Sequence, residues 1–177
     1  MKNIIKIKKS LLILVCYFIS VSLWSQTNLN TAQRQLQNDV ISFLKNEGFQ
    51  PSIDDDGDVS FKKEGVSFFI RILSNSPFLL RISHYITITN YNKLRALLVG
   101  EEVNKYYGIK VGFDTIEFEV LGAKSVVNQA VIRFEMYLGN IDYFKQMFSK
   151  AMDQMQLASK EFREDYNNSN YDPNKYR

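Results

Sequence analysis

Four carboxylates lie within one short stretch, Asp54–Asp56 and Asp58, and could bind a cation. Calcium takes several oxygen ligands at loop spacing, so this is the first chemistry to consider. The EF-hand register is not met: with Gly57 at the glycine position, Ser52 becomes the first ligand and no glutamate follows at the twelfth position. The pattern favours a solvated turn and predicts neither a metal nor a cofactor.

The only histidine, His84, could act as a general base because its side chain titrates near neutral pH. It lies in an alternating apolar run, residues 78–89, on the same parity as Ile82 and Ile86. No acid or nucleophile can be assigned beside it. The pattern therefore favours a hydrogen-bonded core residue.

Three glutamates, Glu117, Glu119 and Glu135, could supply the carboxylate pair of a glycosidase. Each alternates with apolar residues along a predicted strand, and such glutamates usually face water. The single cysteine, Cys16, lies in an N-terminal apolar run, so Cys–His catalysis and a multi-histidine zinc site are also excluded. We predict no catalytic residue and a protein that is not an enzyme.

Alternation of apolar and polar residues predicts the strands. A meander is expected over residues 49–55, 58–63 and 66–74, with a fourth strand over 78–89. Asp56-Gly57 is the dipeptide favoured by type I′ turns. A hairpin follows, with a strand over 109–121 that is interrupted near Asp114. The run 125–138 also fits a helix, but its β-branched residues favour a strand.

The connection in this hairpin decides which faces meet. A three-residue turn over 122–124 would pair Val120 with Val126 and keep both apolar sets on one side. A shift of one residue would invert every side chain, so we predict this longer turn.

Apolar residues at helical spacing predict three helices, over 32–47, 90–107 and 140–166. Their expected N-caps are Thr31, Asn90 and Asn140, since these side chains can accept hydrogen bonds from the first turn. The buried side of the second helix is expected to contain Leu94, Leu97, Leu98 and Val103. The third helix has a long stripe formed by Ile141, Phe144, Phe148, Met152, Met155, Ser159 and Phe162.

The N-terminus has the features of a secretory signal peptide. Lysines at positions 2, 6, 8 and 9 precede the apolar run 11–23, which is short for a membrane span. Cleavage after Ser25 predicts a periplasmic or secreted protein, with an uncleaved anchor as the alternative and no other membrane contact. Removing these four of the 22 basic residues leaves 18 against 19 acidic ones, so nothing favours nucleic-acid binding.

The predicted organisation is a signal peptide (1–25), a linker (26–31), one domain (32–166) and a disordered polar tail (167–177). The elements follow the order α-β-β-β-β-α-β-β-α. They predict a two-layer α+β domain, with an antiparallel sheet and all helices on one face.

Two segments carry a resemblance to a known family. FLKNEGFQPSIDDDGDVSFKKEGVSFFIRI, residues 43–72, resembles the opening of YbjN-like domains, with a helix ending in glycine, an extended strand, an acidic turn and an aromatic strand. EEVNKYYGIKVGF, residues 101–113, is similar to the second helix and following strand, with Asn104 and Lys110 at matching positions. The resemblance implies a fold like type III secretion chaperones and a non-enzymatic, often dimeric, protein-binding domain.

The expected function is an exported protein-binding or chaperone-like module that forms a homodimer and acts through the exposed sheet face. That face mixes apolar, aromatic and charged groups, as interaction surfaces often do. Its predicted partner-binding residues are Phe69, Arg71, Leu73, Tyr85, Val131, Arg133 and Tyr137. The alternative is a periplasmic small-molecule binder with a pocket between the sheet and the last helix.

Overall fold

A computed structural model describes residues 29–73, 78–120 and 123–168. The predicted export signal and almost all of the predicted tail lie outside these residues. The elements are α1 (Thr31–Asn46), β1 (Ser52–Ile53), β2 (Val59–Lys63), β3 (Val66–Ile72), β4 (Phe78–Ile88), α2 (Lys93–Tyr107), β5 (Lys110–Val120), β6 (Ala123–Leu138) and α3 (Ile141–Asn167). The predicted order and α+β class are confirmed. In this described part, no helix combines the length and hydrophobicity that crossing a bilayer requires.

The six strands form one antiparallel sheet in the order β1-β2-β3-β4-β6-β5. Register places Phe61 opposite Phe68, Ile70 opposite Ile82, and His84 opposite Ile132. These side chains are buried and share one face, which packs against the three helices. The intervening residues form the other face, called the outer face below.

Side-chain caps explain where each helix begins. Asn30 caps α1 and exchanges hydrogen bonds with Gln33, so the cap lies one residue before the predicted Thr31. Asn92 caps α2, whereas the predicted cap Asn90 has a positive φ of 55°. Asn140 caps α3 as predicted.

The tight β2–β3 turn contains Glu64 and Gly65, with φ values of 53° and 79°. Positive φ at both central residues is the type I′ pattern, which matches strand twist. The β1–β2 connection is longer than the type I′ turn suggested by Asp56-Gly57, because Ile53 pairs with Val59 across it. β1 is correspondingly much shorter than the predicted strand.

The β5–β6 hairpin departs from the predicted register. Val120 pairs with Ala123, not Val126, and Ile116 pairs with Val127. The observed register differs from the predicted one by an odd number of residues. The side chains in the second half of β5 are therefore inverted, and Ile116 lies on the outer face. Pairing continues through Asp114 opposite Gln129, so the predicted interruption is also wrong.

The buried side of α2 is formed by Ala96, Val99 and Val103, not by its leucines. Leu94, Leu97 and Leu98 are 69%, 48% and 37% exposed. Gly100 explains the choice of face: an added Cβ would lie 3.1 Å from the Phe113 ring. The small residues allow α2 to approach β5 closely, and this approach turns the leucines outward.

Candidate functional site: the outer face of the sheet

All seven predicted partner-binding residues lie on the outer face or directly after its strands. Tyr137, Tyr85 and Leu73 are exposed, at 67%, 39% and 37%. Three more are half-buried, namely Phe69, Arg71 and Arg133. Val131 is fully buried. Val131 lies opposite Tyr85 and Gly112, so it can support this surface but cannot itself contact a partner.

Part of the outer face forms a cavity of about 610 Å³ that we call the acidic trough. Its floor contains Phe69, Arg71, Tyr85 and Gln129, from β3, β4 and β6. Asp54, Asp56 and Asp58 form one wall, and Asp114, Thr115 and Ile116 form the other. Residues near both edges of the sheet line the same cavity, so the outer face is concave here.

Local hydrogen bonds shape the first wall. The Asp54 carboxylate accepts hydrogen bonds from the backbone amides of Asp56 and Asp58, at 3.1 and 2.8 Å. Gly57 has a φ of 81°, and its carbonyl accepts a hydrogen bond from the Gln37 amide of α1 at 2.8 Å. Within the described ranges, no group of three or more potential ligands is arranged to hold a metal ion.

Asp58 and Arg71 form the innermost ion pair of the trough. The Arg71 Nε donates to both Asp58 oxygens, at 2.8 and 2.9 Å, and its Nη2 lies 2.7 Å from Oδ2. Burial raises the pKa of Asp58 despite this bonding, whereas the hydrogen bond to Asp58 raises the pKa of Arg71. The three contacts commit Arg71 largely to Asp58.

A second ion network lies elsewhere on the outer face. The Glu135 carboxylate accepts a hydrogen bond from the Arg81 Nε at 2.7 Å and from the Lys110 Nζ at 2.6 Å. Lys110, with Arg81, lowers the pKa of Glu135. Arg133 lies nearby on β6 and contacts Asp114 at 3.4 Å. This region is basic, whereas the trough is acidic.

Among the side chains that the structure describes, neither catalytic interpretation has supporting geometry. His84 is buried on the helix side, with Nδ1 3.0 Å from the Ser67 carbonyl oxygen and Nε2 3.5 Å from an Arg163 nitrogen. Burial lowers its pKa, as does Arg163, so it is a neutral core residue. Glu117 pairs with Val126 and faces away from Glu135, so these two cannot flank one substrate bond. The Glu119 side chain lies outside the described residues.

The small-molecule alternative requires a pocket between the sheet and α3. A cavity between the end of β4 and α3 is lined by Ile86, Ile88, Phe162 and Tyr166. It holds about 100 Å³, whereas small-molecule sites usually span about 300–1,000 Å³. A larger cavity of about 640 Å³ lies instead at the β2 edge, beside Phe49 and Phe61.

Sequence reasoning missed the trough as a site. The acidic run was recognised, but only as a turn, because Asp114 lies far from it in sequence. Ile116 was missed because the incorrect hairpin register placed it on the face opposite to that of Gln129. The density of aspartates was the one available signal.

Comparison with known proteins supports the fold. No known family profile and no curated protein matches the chain. The crystal structure of YbjN from E. coli, described as a candidate transcription regulator, superposes with a TM-score of 0.50 at 9% identity, covering 72% of this chain and 89% of YbjN. An uncharacterised protein from Methanothermobacter thermautotrophicus gives a TM-score of 0.39 at 14% identity, covering 71% of this chain and 98% of that protein.

The sheet topology and the superposition on YbjN define the class of architecture: an α+β domain with an open antiparallel sheet. Within that class, the chain has a YbjN-like fold, and the resemblance seen in its sequence is confirmed at the level of fold. At 9% identity, the likeness concerns the fold alone.

Proposed function

We propose that this chain is a small non-enzymatic protein-binding module, exported from the cytoplasm, that engages its partner through the outer face. The concave trough carries the proposal, because it combines aromatic groups with charges. The Phe69 and Tyr85 rings form an edge-to-face pair with centroids 5.5 Å apart. Amphipathic aromatic groups often provide the main contacts in protein interfaces.

Site-specific photo-cross-linking in the cell envelope tests this function. A photoreactive phenylalanine replaces Tyr85 in the trough, and a matched replacement is made at Tyr143 on α3. The two side chains are similarly exposed, at 39% and 46%. We expect a protein adduct from position 85 that position 143 does not form. Equal adducts at both positions, or none at position 85, would contradict the proposed surface.

We also propose that two copies can associate through the edge strand β5. The Asn104 Oδ1 accepts a hydrogen bond from the Val111 amide at 2.5 Å, so α2 caps the first part of this edge. Backbone direction alternates along a strand, so the Thr115 and Glu117 amides also point away from β6. Within the described residues, β5 is the last strand of the sheet, so these amides are available for pairing with another strand, as exposed edges commonly are.

The Glu117→Pro variant tests this edge. Proline removes a backbone donor that β6 does not use, so we expect the fold to persist while association is lost. Light scattering should show twice the monomer mass for the parent chain and for a Glu117→Ala control, but the monomer mass for Glu117→Pro. A parent chain that remains monomeric at high concentration would refute dimerisation without affecting the outer-face proposal.

A further inference from the structure

The charges lining the acidic trough are unbalanced. Four carboxylates line it, from Asp54, Asp56, Asp58 and Asp114, against one guanidinium from Arg71. Arg71 is bonded to Asp58 at 2.7 Å and lies 3.8 Å from Asp56. Even if Arg133 is counted through its contact with Asp114, carboxylates outnumber guanidiniums four to two. A complementary occupant is therefore cationic.

The trough also offers apolar contact area. Tyr85 is 39% exposed on the floor, and Ile116 is 45% exposed on the far wall. The Phe69 ring packs against Tyr85 at 5.5 Å and holds its position. The aliphatic stems of lysine and arginine can lie on such a surface while their charged ends reach carboxylates. Cations are also attracted to the faces of aromatic rings.

The dimensions limit the form of the occupant. The trough extends across strands from β2 to β5, and four strand spacings amount to about 19 Å. An extended chain advances about 3.3 Å per residue, so roughly six residues would span it. A second copy that presented the same concave face would leave the centre unfilled. A slender extended segment fits the concavity better.

We infer that the acidic trough binds a short, extended, basic segment of another polypeptide, with lysine or arginine side chains paired to Asp56 and Asp114. The inference rests on the proposed function and names the chemistry of the partner. One cation is placed at each wall, while the stretch between them covers the Phe69–Tyr85 pair. Asp58 stays with Arg71 and maintains the floor.

A labelled hexapeptide of alternating lysine and leucine is the probe, with an alternating glutamate–leucine peptide as its control. Fluorescence anisotropy with the full chain at low salt should detect the lysine peptide only. Binding should weaken as salt is raised, because partly exposed charges are screened. Equal binding of the glutamate peptide, or binding that does not respond to salt, would overturn the inference.

The acidic turn supplies a matched pair of variants. Asp56 lines the trough, whereas Asp55 lies beside it in the same turn and does not. We expect Asp56→Asn to weaken binding of the lysine peptide about three- to fivefold, in the range of solvent-exposed charge pairs, and Asp55→Asn to weaken it less than twofold. Asp114→Asn tests the opposite wall and should resemble Asp56→Asn. Equal losses for Asp55→Asn and Asp56→Asn would show a nonspecific charge effect and reject the site.

The floor has its own control. Tyr85 lines the trough, while Tyr137 lies on the outer face beyond it. Tyr85→Ser should weaken binding more than Tyr137→Ser, with circular dichroism showing that both variants fold.

If photo-adducts from position 85 survive the Asp56→Asn/Asp114→Asn double change, the proposed function stands and the basic-segment inference fails. If that position gives no adduct in the parent chain, the proposed function fails. If the adduct from position 85 joins two copies of this chain, the trough is a self-association surface and the basic-segment inference is rejected.

Discussion

Phe68 and Phe69 are neighbours in β3, yet they lie in different environments. Phe68 is fully buried on the helix face, with its ring centroid 5.6 Å from that of Phe61 and 5.4 Å from that of His84. Phe69 is half-buried on the outer face, where it pairs with Tyr85 and lines the acidic trough. One peptide bond therefore separates a residue that stabilises the fold from one available for recognition.

The same division applies across the sheet. Its helix side buries Ile70, Ile82 and Ile132, and burying a large apolar side chain contributes about 1.5–3 kcal/mol. Its outer side holds charged groups in pairs, such as Arg81 with Glu135. Ion pairs that water still reaches contribute less to stability than buried apolar side chains do. Substitutions on the two sides should consequently have separable effects on folding and binding.

The sharpest test of this comparison exchanges each phenylalanine for alanine. Phe68→Ala should lower the free energy of unfolding by about 3–5 kcal/mol, because it leaves a cavity in the core. Phe69→Ala should cost about 1 kcal/mol, in the range of one aromatic pair. Urea denaturation measures both values. Similar losses for the two variants would show that the outer face is as structural as the core.

Glycine substitutions test the close approach of α2 to β5. Gly100→Ala places a methyl group 3.1 Å from the Phe113 ring and 3.3 Å from Val111, and should cost about 1–3 kcal/mol through overpacking. Gly139→Ala is the control, because its added Cβ meets nothing within 4 Å. Thermal unfolding compares them. An unchanged melting temperature for Gly100→Ala would mean that α2 can shift without loss.

His84 predicts a pH dependence that originates on the helix face. Its folded-state pKa is lowered from 6.5, so the unfolded chain takes up a proton first as the pH falls. Stability should be complete above the unfolded value and decrease below it, by about 1 kcal/mol at a pH one unit lower.

Urea denaturation at pH 7.5 and 5.5 measures this difference, and His84→Gln should remove it because the chain has no other histidine. Arg163 is the charged group that faces the ring. Asp58 has a raised pKa and would act in the opposite direction, since its protonation favours the folded state. A parent chain whose stability does not fall between these pH values would contradict the assigned environment of His84.

The smallest effect is expected from the ion network on the outer face. Glu135→Gln removes charge-assisted bonds to Arg81 and Lys110 and should cost about 0.5–1 kcal/mol. Glu164→Gln, whose partner Lys160 lies 3.9 Å away in an exposed pair, is the control and should have almost no effect. A loss of several kcal/mol at Glu135 would mean that this network is structural.

The sequence by itself determined the elements, because the signals for them are local. Alternation identified β4 and β6, and helical spacing identified the buried stripe of α3. Glycines with positive φ lie where the chain turns, at Gly57 and Gly65. The seven predicted outer-face residues share one side because side-chain parity is a property of each strand.

Only the tertiary structure decided which faces of these strands and helices pack together. The β5–β6 register depends on one connection, and an odd shift there inverted Ile116. The exposed leucines of α2 followed from Gly100 packing against β5, a contact that periodicity does not encode. The acidic trough joins Asp56 to Asp114 through the curvature of the whole sheet, so no local pattern could place its two walls together.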